Sequence, residues 1–253
     1  MPGAQTRVEP WHQVLSYLAK RSIVAWQPGN AMQDYLQPTA LCDCDHATLK
    51  ERASEIVRGA DTPGDASRRI FRFVRDTIPF NATLDIYQKA SRTLRKKVVD
   101  YCNKVNVQVA LLRAAGVPAR CHLVRVEKVV LKAFIPRFLY ARLPSPVGHF
   151  WCECYLAGKW VACETLFDRP LYRGMLAAGL IAQAQIPSID WDGESDLVLF
   201  KPWIVEDIGP VYAYDELVEL AQEEGMPPKV FCRLFDWLPA FFSHRRTEKI
   251  RWQ

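Results

Sequence analysis

Three residues of this chain have the types and the order that nucleophilic catalysis requires. Cys102 stands at the start of a segment in which Val105, Val109 and Leu112 recur at helical spacing. Backbone N–H groups and the helix dipole stabilise a thiolate at such a position. Among the five histidines, His149 opens a later strand-like run and is the best candidate to pair with that thiol and to protonate a leaving group. Cys102 is therefore the predicted nucleophile and His149 its base.

A carboxylate that holds the imidazole tautomer would complete a catalytic triad. Glu164 ends the next strand-like run, which would place it beside His149, and Asp168 is the reserve. Such a triad carries out acyl transfer or hydrolysis through a thioester on Cys102. The backbone N–H of Cys102 is the expected donor to the oxyanion.

Helical periodicity dominates the residues before Cys102 and recurs near the C-terminus. The predicted capping turn is Thr62-Pro63-Gly64-Asp65, and the helix of Cys102 should end at Gly116, ahead of Pro118. The helical stripes are those around Val14–Leu18, Leu49–Val57, Ala66–Val74, Leu171–Gln185 and Tyr214 to about Glu224.

Alternating apolar residues predict an antiparallel sheet after the nucleophile's helix. The strands are expected at Cys121–Leu131, His149–Leu156 and Trp160–Thr165, with a hairpin turn at Ala157-Gly158. Between the first two strands, Lys132–Gly148 is an apolar, proline-containing stretch that is either a lid or a packing segment.

Three sequence blocks resemble those of the transglutaminase-like superfamily. Cys102-Asn103-Lys104, followed by the run ALLRAAGVPAR at 110–120, is similar to the family's nucleophile helix, which ends in Gly-Ile-Pro-Ala-Arg. The run HFWCE at 149–153 resembles its His-x-Trp-x-Glu strand, and WVACET at 160–165 resembles its Trp-x-x-x-Asp-Pro-Thr strand. The blocks occur in the family's order across residues 62–170. Asp100 replaces a usual glycine, and Glu164 a usual aspartate.

The resemblance implies an α+β, transglutaminase-like (papain-like) fold, with N-terminal helices and a nucleophile-bearing helix packed on an antiparallel sheet. Residues 61–170 would be the catalytic core, 1–60 a helical N-terminal extension and 171–253 a C-terminal extension on the same compact domain. The implied Cys-His-acid mechanism needs no cofactor.

Peptide or amide hydrolysis is the first-choice function. One alternative is an acyltransferase or cyclase that takes an acyl thioester, with a possible carrier or partner protein, in small-molecule biosynthesis. Another is an inactive binding or scaffold protein that keeps the fold, because Asp100 adds negative charge where a thiolate must form.

Two cysteine-containing runs could instead bind zinc. They are Cys42-Asp43-Cys44-Asp45-His46 and Cys152-Glu153-Cys154, and neither has the two-residue gap of a zinc knuckle. Strand alternation would also turn Cys152 and Cys154 away from His149. No metal site is therefore predicted. Arg120 is interpreted as a structural anchor, and Cys121, His122 and Cys163 as residues that pack beside the site.

Composition bounds the remaining possibilities. With 49% hydrophobic and 24% charged residues among 253, the chain has an ordinary globular composition. Its net charge of +5 is too small to indicate nucleic-acid binding. No run approaches the ~18 apolar residues of a membrane span, and the start lacks a signal-peptide pattern. A cytoplasmic location, with the eight cysteines mostly free thiols, is expected.

Overall fold

The computed structural model describes residues 31–81, 86–96, 99–143, 145–223 and 237–252, without the side chains of Ala31, Leu139 and residues 237–243. The helix predicted around Val14–Leu18 lies outside these residues. Among the described residues, five helices precede the sheet. They are α1 (Ala31–Asp34), α2 (Ala47–Val57), α3 (Pro63–Thr77), α4 (Ala90–Thr93) and α5 (Tyr101–Ala114).

Local capping explains where the predicted helices begin and end. Thr62 is the N-cap of α3: its hydroxyl accepts from the Asp65 N–H, and Pro63 follows in the first turn. Helix α5 ends at Gly116, whose φ of +80° lets the Val117 N–H reach the Leu112 carbonyl at 2.9 Å. Both predicted boundaries are confirmed.

Helix α5 runs through the middle of the molecule and is buried over most of its length. Two of its buried polar side chains donate to the elements around it. Asn106 donates to the Leu41 carbonyl at 3.0 Å, and Gln108 donates to the Cys163 carbonyl at 2.7 Å. Because a buried polar group without a partner is costly, these bonds fix the helix relative to its neighbours.

Within the part of the chain that the structure describes, the sheet has four antiparallel strands in the order β3-β2-β1-β4. They are β1 (Ala119–Val126), β2 (Val147–Leu156), β3 (Lys159–Ala162) and β4 (Ile204–Val211). The hairpin turn is confirmed, with positive φ at Ala157 and Gly158. Two predicted strand ends are wrong. Residues 128–131 form a 3-10 turn, and residues 163–165 lie beyond the end of β3.

The sequence analysis missed β4, because its sequence IVEDIGPV does not alternate apolar with polar residues. Lys132–Gly148 is not one long loop, since it includes the short helix α6 (Arg137–Tyr140). Phe134 in this stretch is buried in the core, whereas Phe138 is 55% exposed. The stretch therefore combines a packing segment with an exposed tip.

The sheet separates two apolar clusters. Cys121, Cys152 and Cys154 belong to the cluster shared with α5, while Val124 and Trp151 belong to the cluster on the other side. The alternation predicted for Cys152 and Cys154 is therefore confirmed. His149 shares the second face, because its ring lies 6.3 Å from Trp151 and 4.9 Å from Phe200 between centroids.

Three helices complete the described fold: α7 (Arg169–Ala177), α8 (Tyr214–Glu223) and α9 (Trp237–Arg251). Helix α7 stops well short of the predicted Gln185, while α8 agrees with its prediction. A β-carbon at Gly174 would lie 1.7 Å from the Ile250 carbonyl oxygen, so α7 and α9 require glycine at their crossing. None of the described helices is long and apolar enough to span a membrane.

Candidate active site

The N-terminus of α5 presents Cys102 beneath an acidic cap. Asp100 is the N-cap, Tyr101 the first helical residue and Cys102 the second. The Oδ1 atom of Asp100 accepts a 2.7 Å hydrogen bond from the Cys102 backbone N–H. This N–H, which was expected to stabilise an oxyanion, is therefore engaged by a carboxylate in this structure.

The thiol of Cys102 lies in surroundings that favour its neutral form. Burial raises the pKa of Cys102 well above its ordinary value, and the negative charge of Asp100 raises it further. A hydrogen bond with Tyr101 acts in the opposite direction but does not compensate. Burial and the negative charge of the cap therefore both oppose the thiolate that the helix N-terminus was expected to stabilise.

His149 and Glu164 form a buried pair. The Nε2 atom of His149 lies 2.8 Å from Oε1 of Glu164, and both residues are less than 5% exposed. The second oxygen of Glu164 accepts from the Leu199 N–H at 2.6 Å. Since Glu164 fixes the proton on Nε2, Nδ1 is the nitrogen left to accept one.

Tyr101 lies between the nucleophile and this pair. Its ring stacks on the His149 imidazole, with the centroids 5.6 Å apart and the planes 24° from parallel. Cys102 and His149 are not hydrogen-bonded to one another in the described structure. The Cys102 thiol and the His149 imidazole are therefore carried by neighbouring elements, without a hydrogen bond between them.

Asp168, the reserve acid, is engaged elsewhere. Its two oxygens accept from the Leu171 N–H at 2.9 Å and from Arg251 at 2.7 Å, which caps α7 and ties it to α9. These bonds and the Arg251 charge lower the pKa of Asp168, although burial alone would raise it. This aspartate stabilises the fold at the base of α7.

The residues of the first run that could have bound zinc, Cys42 to His46, also have structural partners. Asp43 accepts from the Ser91 N–H and hydroxyl, and His46 caps α2 by accepting from the Thr48 N–H. The Cys44 thiol lies 3.5 Å from the Leu36 carbonyl oxygen. Among the residues that the structure describes, no group of three or more His, Cys, Asp or Glu side chains is arranged to hold a metal.

Arg120 pairs with Glu153 at 2.7 Å, and its guanidinium lies 4.0 Å above the centre of the Trp160 ring. These contacts anchor it across the sheet. The sequence reasoning missed Tyr101, Leu199 and Phe200. Adjacency to Cys102 could have indicated Tyr101, but Leu199 and Phe200 lie far along the chain in a segment without periodicity.

Comparison with known protein families identifies the type of domain that contains Cys102, His149 and Glu164. Residues 50–165 match the family model of the transglutaminase-like superfamily, and this range includes Cys102, His149 and Glu164. Residues 50–165 form a transglutaminase-like domain. The fold is α+β, with helices packed on the curled antiparallel sheet. The match of residues 50–165 to this superfamily supports a cysteine-enzyme function in general.

Two solved structures are similar to this chain. One is a "putative cysteine protease" from Cytophaga hutchinsonii, with 14% identity over 81% of this chain and 52% of that one, at a TM-score of 0.46. The other is a "putative protease" from Parabacteroides distasonis, with 11% identity over 52% of this chain and 25% of that one, at a TM-score of 0.35. This chain therefore spans about half of the first protein and a quarter of the second. The search of curated proteins found no match.

Proposed function

We propose that the transglutaminase-like domain hydrolyses peptide or amide bonds, with Cys102 as nucleophile, His149 as general base and acid, and Glu164 as the residue that orients the imidazole. The observation that carries the proposal is the buried His149–Glu164 pair. Glu164 is held at one oxygen by the Leu199 N–H, so its other oxygen presents a fixed acceptor to His149. A preorganised imidazole beside a buried thiol is the arrangement that cysteine hydrolases use.

In the proposed reaction, the Cys102 thiol gives its proton to His149 Nδ1 as sulfur bonds to the carbonyl carbon of the substrate. The C–N bond then breaks, and the nitrogen leaves with the proton from His149. Water, deprotonated by His149, attacks the thioester, and the thiol is regenerated. Because the free thiol is neutral, proton transfer accompanies attack rather than preceding it.

Asp100 gives this mechanism a specific requirement. Its carboxylate accepts from the N–H at which an oxyanion would be stabilised, and its charge opposes a thiolate. Substrate binding must therefore displace or protonate Asp100, and must bring Cys102 and His149 into contact. Contacts that are absent in a free enzyme are often completed in the substrate complex.

Acylation by 4-nitrophenyl acetate tests the proposal directly. We expect release of nitrophenol together with an acetyl thioester on Cys102, located by mass spectrometry. Cys102→Ala should abolish the adduct, and His149→Ala should slow it. Cys44→Ala is the matched control, since Cys44 is also buried but lies outside the site. Acetylation spread over the other cysteines would contradict the assignment. Peptide cleavage that is absent from the Cys102→Ala variant would then establish the bond type.

Asp100 also supports a second candidate, a binding protein that has kept the fold without turnover. The carboxylate both engages the oxyanion donor and raises the thiol pKa, as expected where catalysis is no longer selected. If neither the wild-type protein nor Asp100→Asn is acetylated at Cys102, this candidate replaces the hydrolase.

A further inference from the structure

An apolar groove has Phe200 in its lining. Its volume is about 670 Å³, which is within the range of small-molecule sites. The buried side chains of Met175, Ile181 and Ile250 line it together with Trp203. Val129 and Leu180 at its edge are 43% and 44% exposed. A concave, mostly apolar surface of this volume with a few charged groups in its lining has the character of a small-molecule site.

The charged residues that line this groove are all basic. Lys132, Arg246 and Lys249 contribute to its lining, and no aspartate or glutamate of the described chain does. Within the same described residues, none of the three cations pairs with a carboxylate, and Arg246 donates only to the Ile135 carbonyl at 3.0 Å. An apolar interior with unpaired cations at its mouth is complementary to an apolar ligand that carries an anion.

The groove is in physical contact with the candidate active site. Phe200 lines the groove on one side and packs on the His149 ring on the other, with the centroids 4.9 Å apart. The preceding residue, Leu199, donates to Glu164. A ligand in the groove would therefore press on the segment that holds both the base and its carboxylate.

We propose that this groove binds a monomeric acyl compound with an anionic carboxylate head group, the chain lying against Met175 and Ile181 and the carboxylate lying between Lys132 and Lys249. The acyl chain of such a compound matches the apolar lining of the groove, and its carboxylate matches the positive charge of the lysines. The site is assigned by its own lining and does not depend on turnover at Cys102.

Calorimetric titration with decanoate, kept below its micelle concentration, tests the proposal. We expect one molecule of decanoate to bind per chain. The double variant Lys132→Glu/Lys249→Glu should weaken binding about tenfold or more, because attraction becomes repulsion at two positions. Lys159→Glu, at an exposed lysine outside the groove, should leave it unchanged. Decyltrimethylammonium, with the same chain and the opposite charge, should bind at least tenfold more weakly.

Four results would overturn the proposal: no binding of decanoate, equal binding of the cationic analogue, equal binding by the double variant, or binding only to vesicles of acidic lipids. A change in sedimentation of the double variant without any decanoate binding would instead assign the groove to a second copy of the chain. Titration of Cys102→Ala separates this proposal from the hydrolase, since decanoate binding should persist there even though acylation is lost.

Discussion

Two histidines on the same face of the sheet are paired with carboxylates in different ways. His149 uses only Nε2, with Glu164, and forms no hydrogen bond through Nδ1 in the described structure. His122 is held at both nitrogens: Nε2 lies 2.7 Å from Asp207, and Nδ1 lies 2.8 Å from Glu153 without the alignment of a hydrogen bond. Trp151 lies between them, stacked on His122 at 4.9 Å.

Only one of these two pairs leaves a ring nitrogen able to accept a proton. An imidazole between two carboxylates is stabilised as a cation and has no nitrogen left to accept a proton. Burial alone would lower the pKa of His122, but Glu153 and Asp207 raise it. His149 keeps a free nitrogen beside the helix that carries Cys102. Variants of the two pairs should therefore separate a catalytic histidine from an ionic one.

The largest expected effect comes from removing the imidazoles in turn. His149→Gln should slow acetylation of Cys102 by about a thousandfold, since general acid–base catalysis contributes ~10²–10⁴. His122→Gln should change that rate less than about twofold. Stopped-flow nitrophenol release measures both. Equal losses in the two variants would remove the distinction between the histidines.

The carboxylates come next. Glu164→Gln keeps the shape but donates where it should accept, so His149 would lose its oriented tautomer, and acylation should fall roughly a hundredfold. The matched variant is Asp207→Asn, which alters the other pair and should leave the rate unchanged. An unaffected rate in Glu164→Gln would show that this carboxylate does not orient the base.

Asp100→Asn should act in the opposite direction. The amide can still cap α5 but carries no charge, so the pKa of Cys102 should fall, and iodoacetamide should label it about tenfold faster at neutral pH. The wild-type protein should label at Cys102 only above the pH at which an ordinary thiol ionises. Asp43→Asn is the control for loss of a buried carboxylate elsewhere. Rapid wild-type labelling below pH 7 would contradict the raised pKa.

The smallest effect concerns stability and His122. Its pKa is raised in the folded chain, so its contribution is fully present below the unfolded value of ~6.5 and is lost as pH rises through the folded pKa. The groups that face it are Glu153, Asp207 and, through Glu153, Arg120. The free energy of unfolding of the wild-type protein, measured in urea, should fall by about 1 kcal/mol or less as the pH rises through the folded pKa of His122. The variant His122→Gln should lack this step. An identical pH profile in both proteins would count against the ionic role.

The amino-acid sequence by itself was sufficient to predict the transglutaminase-like domain, its α+β class and most of its helices and strands. Those features depend on local capping and periodicity, as at Thr62 and Gly116, and on motifs that are contiguous along the chain. The same local patterns brought Cys102, His149 and Glu164 forward as candidates, and their catalytic role stays a prediction for the acylation experiment.

The surroundings of the candidate site depend instead on tertiary contacts. The pKa of Cys102 depends on how deeply α5 is buried and on the side to which Asp100 turns its carboxylate. The periodicity of the sequence predicts neither feature. Glu164 is held by Leu199, and the groove joins residues from α7, α9 and the segment before β4. Such contacts bring together positions far apart in the chain, so they depend on packing rather than on any local pattern.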